Sequence, residues 1–450
     1  MMRHWTWLLL LLLPLSAFGS AKDSKIFPYK YVKKTLPNGL TVVAVPTGFP
    51  DIVACYIVVR TGSRNEVEPG KSGFAHFFEH MMFRGTEKFP SEKYDAILKN
   101  IGADNNANTS DDRTIYHTTF SREDLETVLM LEADRFQNLK YSKADFQTEA
   151  KAVLGEYNKN AANPIRKIIE VMRDAAFQKH TYKHTTMGFL RDIEDMPNQY
   201  EYSLKFFDRY YRPEYTTIVV AGDIDTGQVM QLVKKYWGRW QRGSYAPDIP
   251  KEPPQTQPIR KHVAWPNPTL PWVVVGYKGP AFSDEKKDMA AMDIISQIAF
   301  GEASPLYRKL VIEEQKVDQF FTWFPDRKDP YINSVFARVK NPKDMPYVEN
   351  EILKTFEQLR NEKVDAKRLE AVKSNLKYSF ALSMDNSETI ANILANYLAL
   401  KNDPEVINRL YRVYDSLTPE DIQQMAQKYF TENNRIIVTL SHDAKKGGEQ

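Results

Sequence analysis

Between Ser244 and Pro271 the chain carries prolines at 247, 250, 253, 254, 258, 266, 268 and 271, a density unmatched elsewhere in its 450 residues. Proline lacks an N–H and has a fixed φ, so such a stretch breaks helices and favours extended linker geometry. The segment splits the chain into halves of similar length, and each half follows one order: strand, helices, strand, long helices, final strand. In the first half Leu40 to Val45 and Ile52 to Arg60 read as strands, and a helix follows around His76. Helical patterns cover Glu92 to Asn100, Arg122 to Gln137 and Lys143 to Asn160, a polar strand spans Asn106 to Phe120, and Tyr215 to Ala221 is a buried strand. In the second half Trp272 to Tyr277, Tyr331 to Val339 and Arg435 to Leu440 are strands, with helices at Glu285 to Phe300, Pro346 to Asn361 and Ala366 to Leu382. Helices come in groups rather than after every strand, which makes the class α+β and suggests a divergent internal repeat. The expected division is 1–21 as a signal peptide, 26–243 as an N-terminal domain, 244–271 as linker and 272–445 as a C-terminal domain.

Composition narrows what such a chain does. With 42% apolar residues it can bury a large core, and 61 basic against 58 acidic residues leave a charge of only +3, scattered along the sequence. No footprint for nucleic acid is present. A single cysteine, Cys55, excludes an intramolecular disulfide framework and a cysteine-rich metal site. The first residues read Met1-Met2-Arg3-His4, an apolar run from Trp5 to Leu15, then Ser16-Ala17-Phe18-Gly19-Ser20-Ala21. A cationic start, a short apolar core and small residues at the end describe a secretory signal, cleaved after Ala21 or Gly19. An uncleaved anchor is the alternative, for which the run is short. No later stretch is apolar enough to cross a bilayer.

Chemistry is legible in His76-Phe77-Phe78-Glu79-His80. On a helix, residues four apart share a face one turn apart, so both imidazoles can reach one metal ion, and Glu79 flanks that face near a bound water. The order H-x-x-E-H is that of the inverted zinc proteases. Catalytic zinc takes three protein ligands and leaves a fourth position for water, so a further ligand is required. The helix Lys143 to Asn160 offers Glu149 and Glu156 on one face with Val153 between them. One of these acids can be a ligand and the other a group supporting it.

Around the motif the chain reads Gly73-Phe74-Ala75-His76-Phe77-Phe78-Glu79-His80-Met81-Met82-Phe83-Arg84-Gly85-Thr86. This resembles the M16 metallopeptidases, the family of pitrilysin, insulin-degrading enzyme and the mitochondrial processing peptidase, and the resemblance runs from Leu36 to the last strand. The family's distal glutamate lies about 76 residues after the second histidine, where this chain has Glu156, and a second glutamate stands seven residues earlier, at Glu149. The resemblance implies two related sandwich-like halves, each a mainly antiparallel sheet packed with helices. It also implies one zinc per chain on His76, His80 and Glu156, Glu79 as general base and Glu149 as the supporting acid. The metal could also be manganese or cobalt, since a His2Glu site accepts them.

Gly102-Ala103-Asp104-Asn105-Asn106-Ala107-Asn108-Thr109-Ser110 resembles the family's strand that pairs with substrate beside the zinc. It puts Asn106, Ala107, Asn108 and Thr109 against the peptide, with Asn106 offering a side-chain contact, and capture through main-chain bonds implies broad specificity. One departure stands out. Single-chain members hold the substrate carbonyl with an Arg and a Tyr seven residues apart; this chain has Val311 and Asp318 at those places, and neither can donate as that pair does. Short members of the family work as two chains, one with zinc and one with the Arg/Tyr pair. The expectation is thus a zinc endopeptidase for unfolded peptides, exported and, in a Gram-negative cell, periplasmic, with a second M16-like chain as partner. The alternative is a non-catalytic peptide-binding or structural subunit. His180 and His184, four apart but flanked by lysines with no carboxylate within the pair, are not expected to form a second metal site, and His117 and His262 have no assigned role.

Overall fold

The computed structural model describes residues 25–443, so the expected signal segment lies outside the described residues. Eleven strands, β1 (Val32–Thr35), β2 (Thr41–Pro46), β3 (Ile52–Val59), β4 (Asp104–Thr109), β5 (Thr114–Ser121), β6 (Thr216–Gly222), β7 (Ile259–Trp265), β8 (Trp272–Lys278), β9 (Val317–Trp323), β10 (Ile332–Val339) and β11 (Arg435–His442), form two sheets. The first runs β1-β2-β6-β3-β5-β4 and the second β7-β11-β8-β10-β9. Leaving out β1, both sheets have the same topology, and in each the parallel pairing joins that half's first core strand to its last (β2 to β6, β7 to β11) while the other pairs are antiparallel. The repeat read from element order is therefore present in the strand order as well.

Three expectations change. The stretch Asn106 to Phe120 is a hairpin, β4 and β5, turned at 110–113, because Ser110-Asp111-Asp112-Arg113 interrupts the strand pattern with turn-forming residues. Residues 259–265, inside the stretch expected to be linker, form β7; the run between Pro258 and Pro266 contains no proline, and β7 takes an edge, where flanking prolines are tolerated. Helices Pro164–Ala176, Tyr200–Tyr210, Thr226–Trp237, Ser387–Leu400, Val406–Ser416 and Pro419–Tyr429 were not part of the sequence reading.

One of these, the helix Ser387–Leu400, explains why β3 is apolar at nearly every position. Val53, Cys55, Ile57 and Val59 enter one core with the helix Phe74–Met81, while Ala54, Tyr56 and Val58 enter another with the helix Ser387–Leu400. A strand buried on both faces loses its alternation. The covering is reciprocal. The helix Ser387–Leu400, from the second half, lies on β3 and β6 of the first sheet, and the helix Pro164–Ala176, from the first half, lies on β7 and β11 of the second. Ile168, Met172 and Ala176 of the latter share a core with Trp272, Val274, Ile436 and Val438.

A buried ionic seam joins the halves at the β4–β5 turn. Asp111 accepts from Ser63 Oγ at 2.9 Å, Arg173 Nη2 at 2.6 Å and Arg327 Nε at 2.7 Å. Asp112 accepts from Tyr182 Oη at 2.7 Å and from the Lys328 amide at 3.0 Å. Asp329, from the second half, accepts from Arg64 Nε at 2.5 Å and faces His180 Nε2 at 2.9 Å.

Candidate metal centre

The helix Phe74–Met81 starts where Gly73 adopts φ +93°, a conformation that side chains with a Cβ rarely adopt, and a Cβ there would also crowd Met187 O at 3.0 Å and Ile193 Cδ1, which favours glycine. Helix N-termini leave N–H groups without intrahelical partners. Here the buried Glu66 carboxylate accepts from the amides of Gly73 and Ala75, both at 2.7 Å. Phe74, Phe77, Phe78 and Met81 are fully buried and fix the rotation of the helix, which leaves His76 and His80 on the remaining face. Their rings stand 4.8 Å apart, centroid to centroid.

The helix Lys143–Ala161 packs against this one. Ser142 caps its start reciprocally with Asp145, and Phe146, Ala150 and Val153 bury its inner face. Glu149 and Glu156 are thereby brought to the histidines. Glu156 Oε2 lies 3.6 Å from His76 Nε2 and 3.4 Å from His80 Nε2, and the three donor atoms fall within 4.8 Å of one another. Those separations are long for hydrogen bonds. They match the edge of a coordination shell, since two donors each about 2.1 Å from a tetrahedral ion stand about 3.4 Å apart. The donor set, two imidazoles and a carboxylate, suits zinc, so the residues fit the implied ion. Among the described residues this is the one group of three metal-capable side chains so placed.

Behind the ligand face, Glu149 Oε1 lies 2.9 Å from His80 Nδ1, while its Oε2 accepts from Arg84 through Nε at 2.8 Å and also through Nη2. The hydrogen bond to Glu149 holds the His80 pKa above the usual imidazole value. The His80 and Arg84 bonds in turn hold the Glu149 carboxyl below the usual range against its burial. For His76, burial and then the neighbouring His80 push the pKa down, which favours the neutral ring that a metal binds. His76 Nδ1 is buried without a hydrogen-bond partner. Glu79, between His76 and His80 in sequence, is half-buried and makes no hydrogen bond or ion pair with a described side chain.

Sequence reading missed Arg84 and Glu66. Arg84 was visible in principle, one helical turn beyond His80, but Glu66 reaches the motif through a loop and leaves no spacing signal. The residues expected to meet substrate lie on an edge strand: β4 pairs only with β5 and runs beside the motif helix, with Asn106 and Asn108 exposed and Ala107 and Thr109 half-buried. Asn106 Oδ1 accepts from the Ala107 amide at 2.8 Å, and Asn108 Oδ1 from Arg113 at 2.5 Å. Val311 packs against the largest core, and Asp318 on β9 forms a two-bond pair with Arg338 at 2.8 and 2.7 Å. His180 is committed to Asp329, His184 to the Thr185 carbonyl at 3.0 Å, His117 stacks on Tyr56 at 4.9 Å, and His262 pairs with Thr439 at 2.9 Å.

Two sheets of one topology with a His2Glu cluster in the first half define a peptidase architecture, and comparison with known proteins agrees. Residues 41–189 match the Insulinase (Peptidase family M16) model and residues 199–376 the Peptidase M16 inactive domain model. The chain belongs to the M16 peptidase family. It is 30% identical to the zinc protease PqqE of Helicobacter pylori over 95% of this chain and 96% of that one. The crystal structure of a protease from Helicobacter pylori superposes with a TM-score of 0.86 at 29% identity, covering 92% of this chain and 99% of the other. The periplasmic protease PqqL from Escherichia coli shares the fold at 19% identity and a TM-score of 0.74, over 94% of this chain but 49% of PqqL.

Proposed function

We propose that this chain is a zinc endopeptidase acting on unfolded peptides, with His76, His80 and Glu156 as ligands and Glu79 as general base. The observation that carries the reading is the convergence of three donor atoms within 4.8 Å beside an unpartnered glutamate and an open sheet edge. A zinc ion on this set supplies the positive charge that acidifies water and polarises a peptide carbonyl. The Glu79 carboxylate takes the proton of the attacking water and returns it to the leaving amine nitrogen. Glu149, itself held by Arg84, fixes the His80 ring and leaves Nε2 as the nitrogen that would hold the ion. The outer edge of β4, with Asn106 to Thr109, aligns the peptide by main-chain hydrogen bonds.

The chain works with a second M16-like partner that contributes the Arg/Tyr clamp. Val311 is an apolar side chain packed against the core and Asp318 is tied to Arg338, so neither stands ready to hold a substrate oxygen. PqqL, in which one chain spans about twice this length, supports a pairing of such units. The signal-like N-terminus supports export to the periplasm, and among the described residues no helix is long and apolar enough to cross a membrane.

The test is Glu79→Gln, assayed with an unfolded casein substrate and by metal analysis. Zinc retained with hydrolysis reduced by about 10²–10⁴-fold is the expected result. Unchanged hydrolysis would remove Glu79 from the chemistry, and a protein without activity or metal in either form would favour a non-catalytic subunit.

A further inference from the structure

Glu149, Val153, Glu156 and Asn160 follow one another at i, i+4, i+7 and i+11 along the helix Lys143–Ala161, so one face of that helix carries all four. Val153 is buried in the packing, and Glu149 supports His80. Asn160 ends the stripe in the last turn. Its Nδ2 donates to Glu156 Oε1 at 3.3 Å and also approaches the Met187 sulfur at 3.9 Å.

The two Glu156 oxygens are thereby divided between two tasks. Oε2 faces the Nε2 atoms of both imidazoles, at 3.6 and 3.4 Å, and is the atom placed to hold an ion. Oε1 is taken by Asn160, and among the described residues no other group donates a hydrogen bond to this carboxylate. The need for such a bond is greatest at Glu156. His76 is fixed by burial and His80 by Glu149, whereas the Glu156 side chain is 38% exposed. A long, half-exposed side chain loses more rotamer freedom when it is held in one position. Carboxylate ligands of metals are in turn hydrogen-bonded, and losing the partner weakens metal binding.

We propose that Asn160 is a positioning residue of the metal centre: by holding Oε1 of Glu156 it turns Oε2 toward the two histidines. The inference rests on the assignment of His76, His80 and Glu156 as ligands. Asn160 also borders a cavity of 230 Å³ with Thr109, Ser110 and Trp323, so direct contact with a peptide is the rival role.

Zinc affinity of the full chain, read by competition with a chromogenic chelator, separates the two. Asn160→Leu keeps the size of the side chain and removes its donor, and it should bind zinc about 10–100-fold more weakly than the parent. Asn160→Gln restores a donor and should bind zinc at least about threefold more tightly than Asn160→Leu. The metal-free variants should melt like the parent by circular dichroism, because one pair four residues apart adds little to a helix. Glu156→Ala is the control for the ligand assignment. Affinity lost in Glu156→Ala but kept in Asn160→Leu would overturn this inference alone; affinity kept in both would overturn the assignment and the inference with it. A rise in KM for unfolded casein at parent zinc affinity would give Asn160 to the substrate instead. Equal weakening in Asn160→Leu and Asn160→Gln, or metal-free melting that falls in step with the loss of zinc, would make the residue a part of the helix only.

Discussion

Asp111 and Arg327 meet at 2.7 Å across the seam between the halves, with Asp111 in the turn that ends β4. The edge strand β4 of the first sheet is thus anchored to the second half at the turn where the chain reverses. A buried carboxylate held by two guanidiniums leaves both of them uncompensated when it is removed. Asp111→Ala should lower stability by about 3–5 kcal/mol, read as a lower urea midpoint at unchanged slope.

The same seam makes stability depend on acid. Burial alone would raise the Asp111 carboxyl, but Arg173 and Arg327 overcome this and hold it well below the usual range. Asp329, raised by burial and then lowered more strongly by its bonds to His180 and Arg64, is held at about 2. A carboxyl whose folded pKa is depressed contributes stability fully above its unfolded value, about 3.9, and that contribution is lost as pH falls through the folded value. Acid unfolding followed by tryptophan fluorescence should therefore be less steep below about pH 4 in Asp329→Asn than in the parent.

Arg84 acts on the metal centre through Glu149. Arg84→Ala should weaken zinc binding by about 10–100-fold in chelator competition, with Arg84→Lys restoring part of the loss through a single bond. An affinity for zinc equal to that of the parent would make Arg84 a surface residue with no part in the centre.

Gly73→Ala forces a Cβ against Ile193 Cδ1 and Met187 O at φ +93°. A cost of about 1–3 kcal/mol is expected, with a lower melting temperature and a displaced motif helix. A neutral effect would mean that the helix start can shift.

Assayed alone, the purified chain should cleave peptides poorly, because β9 offers Asp318 already paired to Arg338. Adding a second M16-like chain bearing the Arg/Tyr pair should raise kcat more than it lowers KM, the mark of an oxygen held in the transition state. Full activity as a monomer by size-exclusion chromatography would remove the need for the partner.

The ligand face was legible because helical spacing is local: His76 and His80 lie one turn apart, as do the packing residues Phe74 and Phe78. Glu156 was reached through the resemblance and an amphipathic pattern, and the fold brings it to 3.4 Å from His80. Glu66 and Arg327 act across long sequence distances, through a loop and a seam, and no period in the sequence encodes such meetings. The turn at 110–113 was hidden because β4 is rich in Asn and β5 in Thr, so one long strand with polar positions and two short ones look alike. β7 was hidden by the prolines that flank it.

The reciprocal placement of the helices Pro164–Ala176 and Ser387–Leu400 sets an order on the life of the chain. The first sheet remains uncovered on one face until residues near its far end have been synthesised, so a nascent first half cannot close on itself. Contacts of this span make folding slow. If the chain is exported as proposed, that delay is useful, because it leaves the chain threadable until the last strand has crossed.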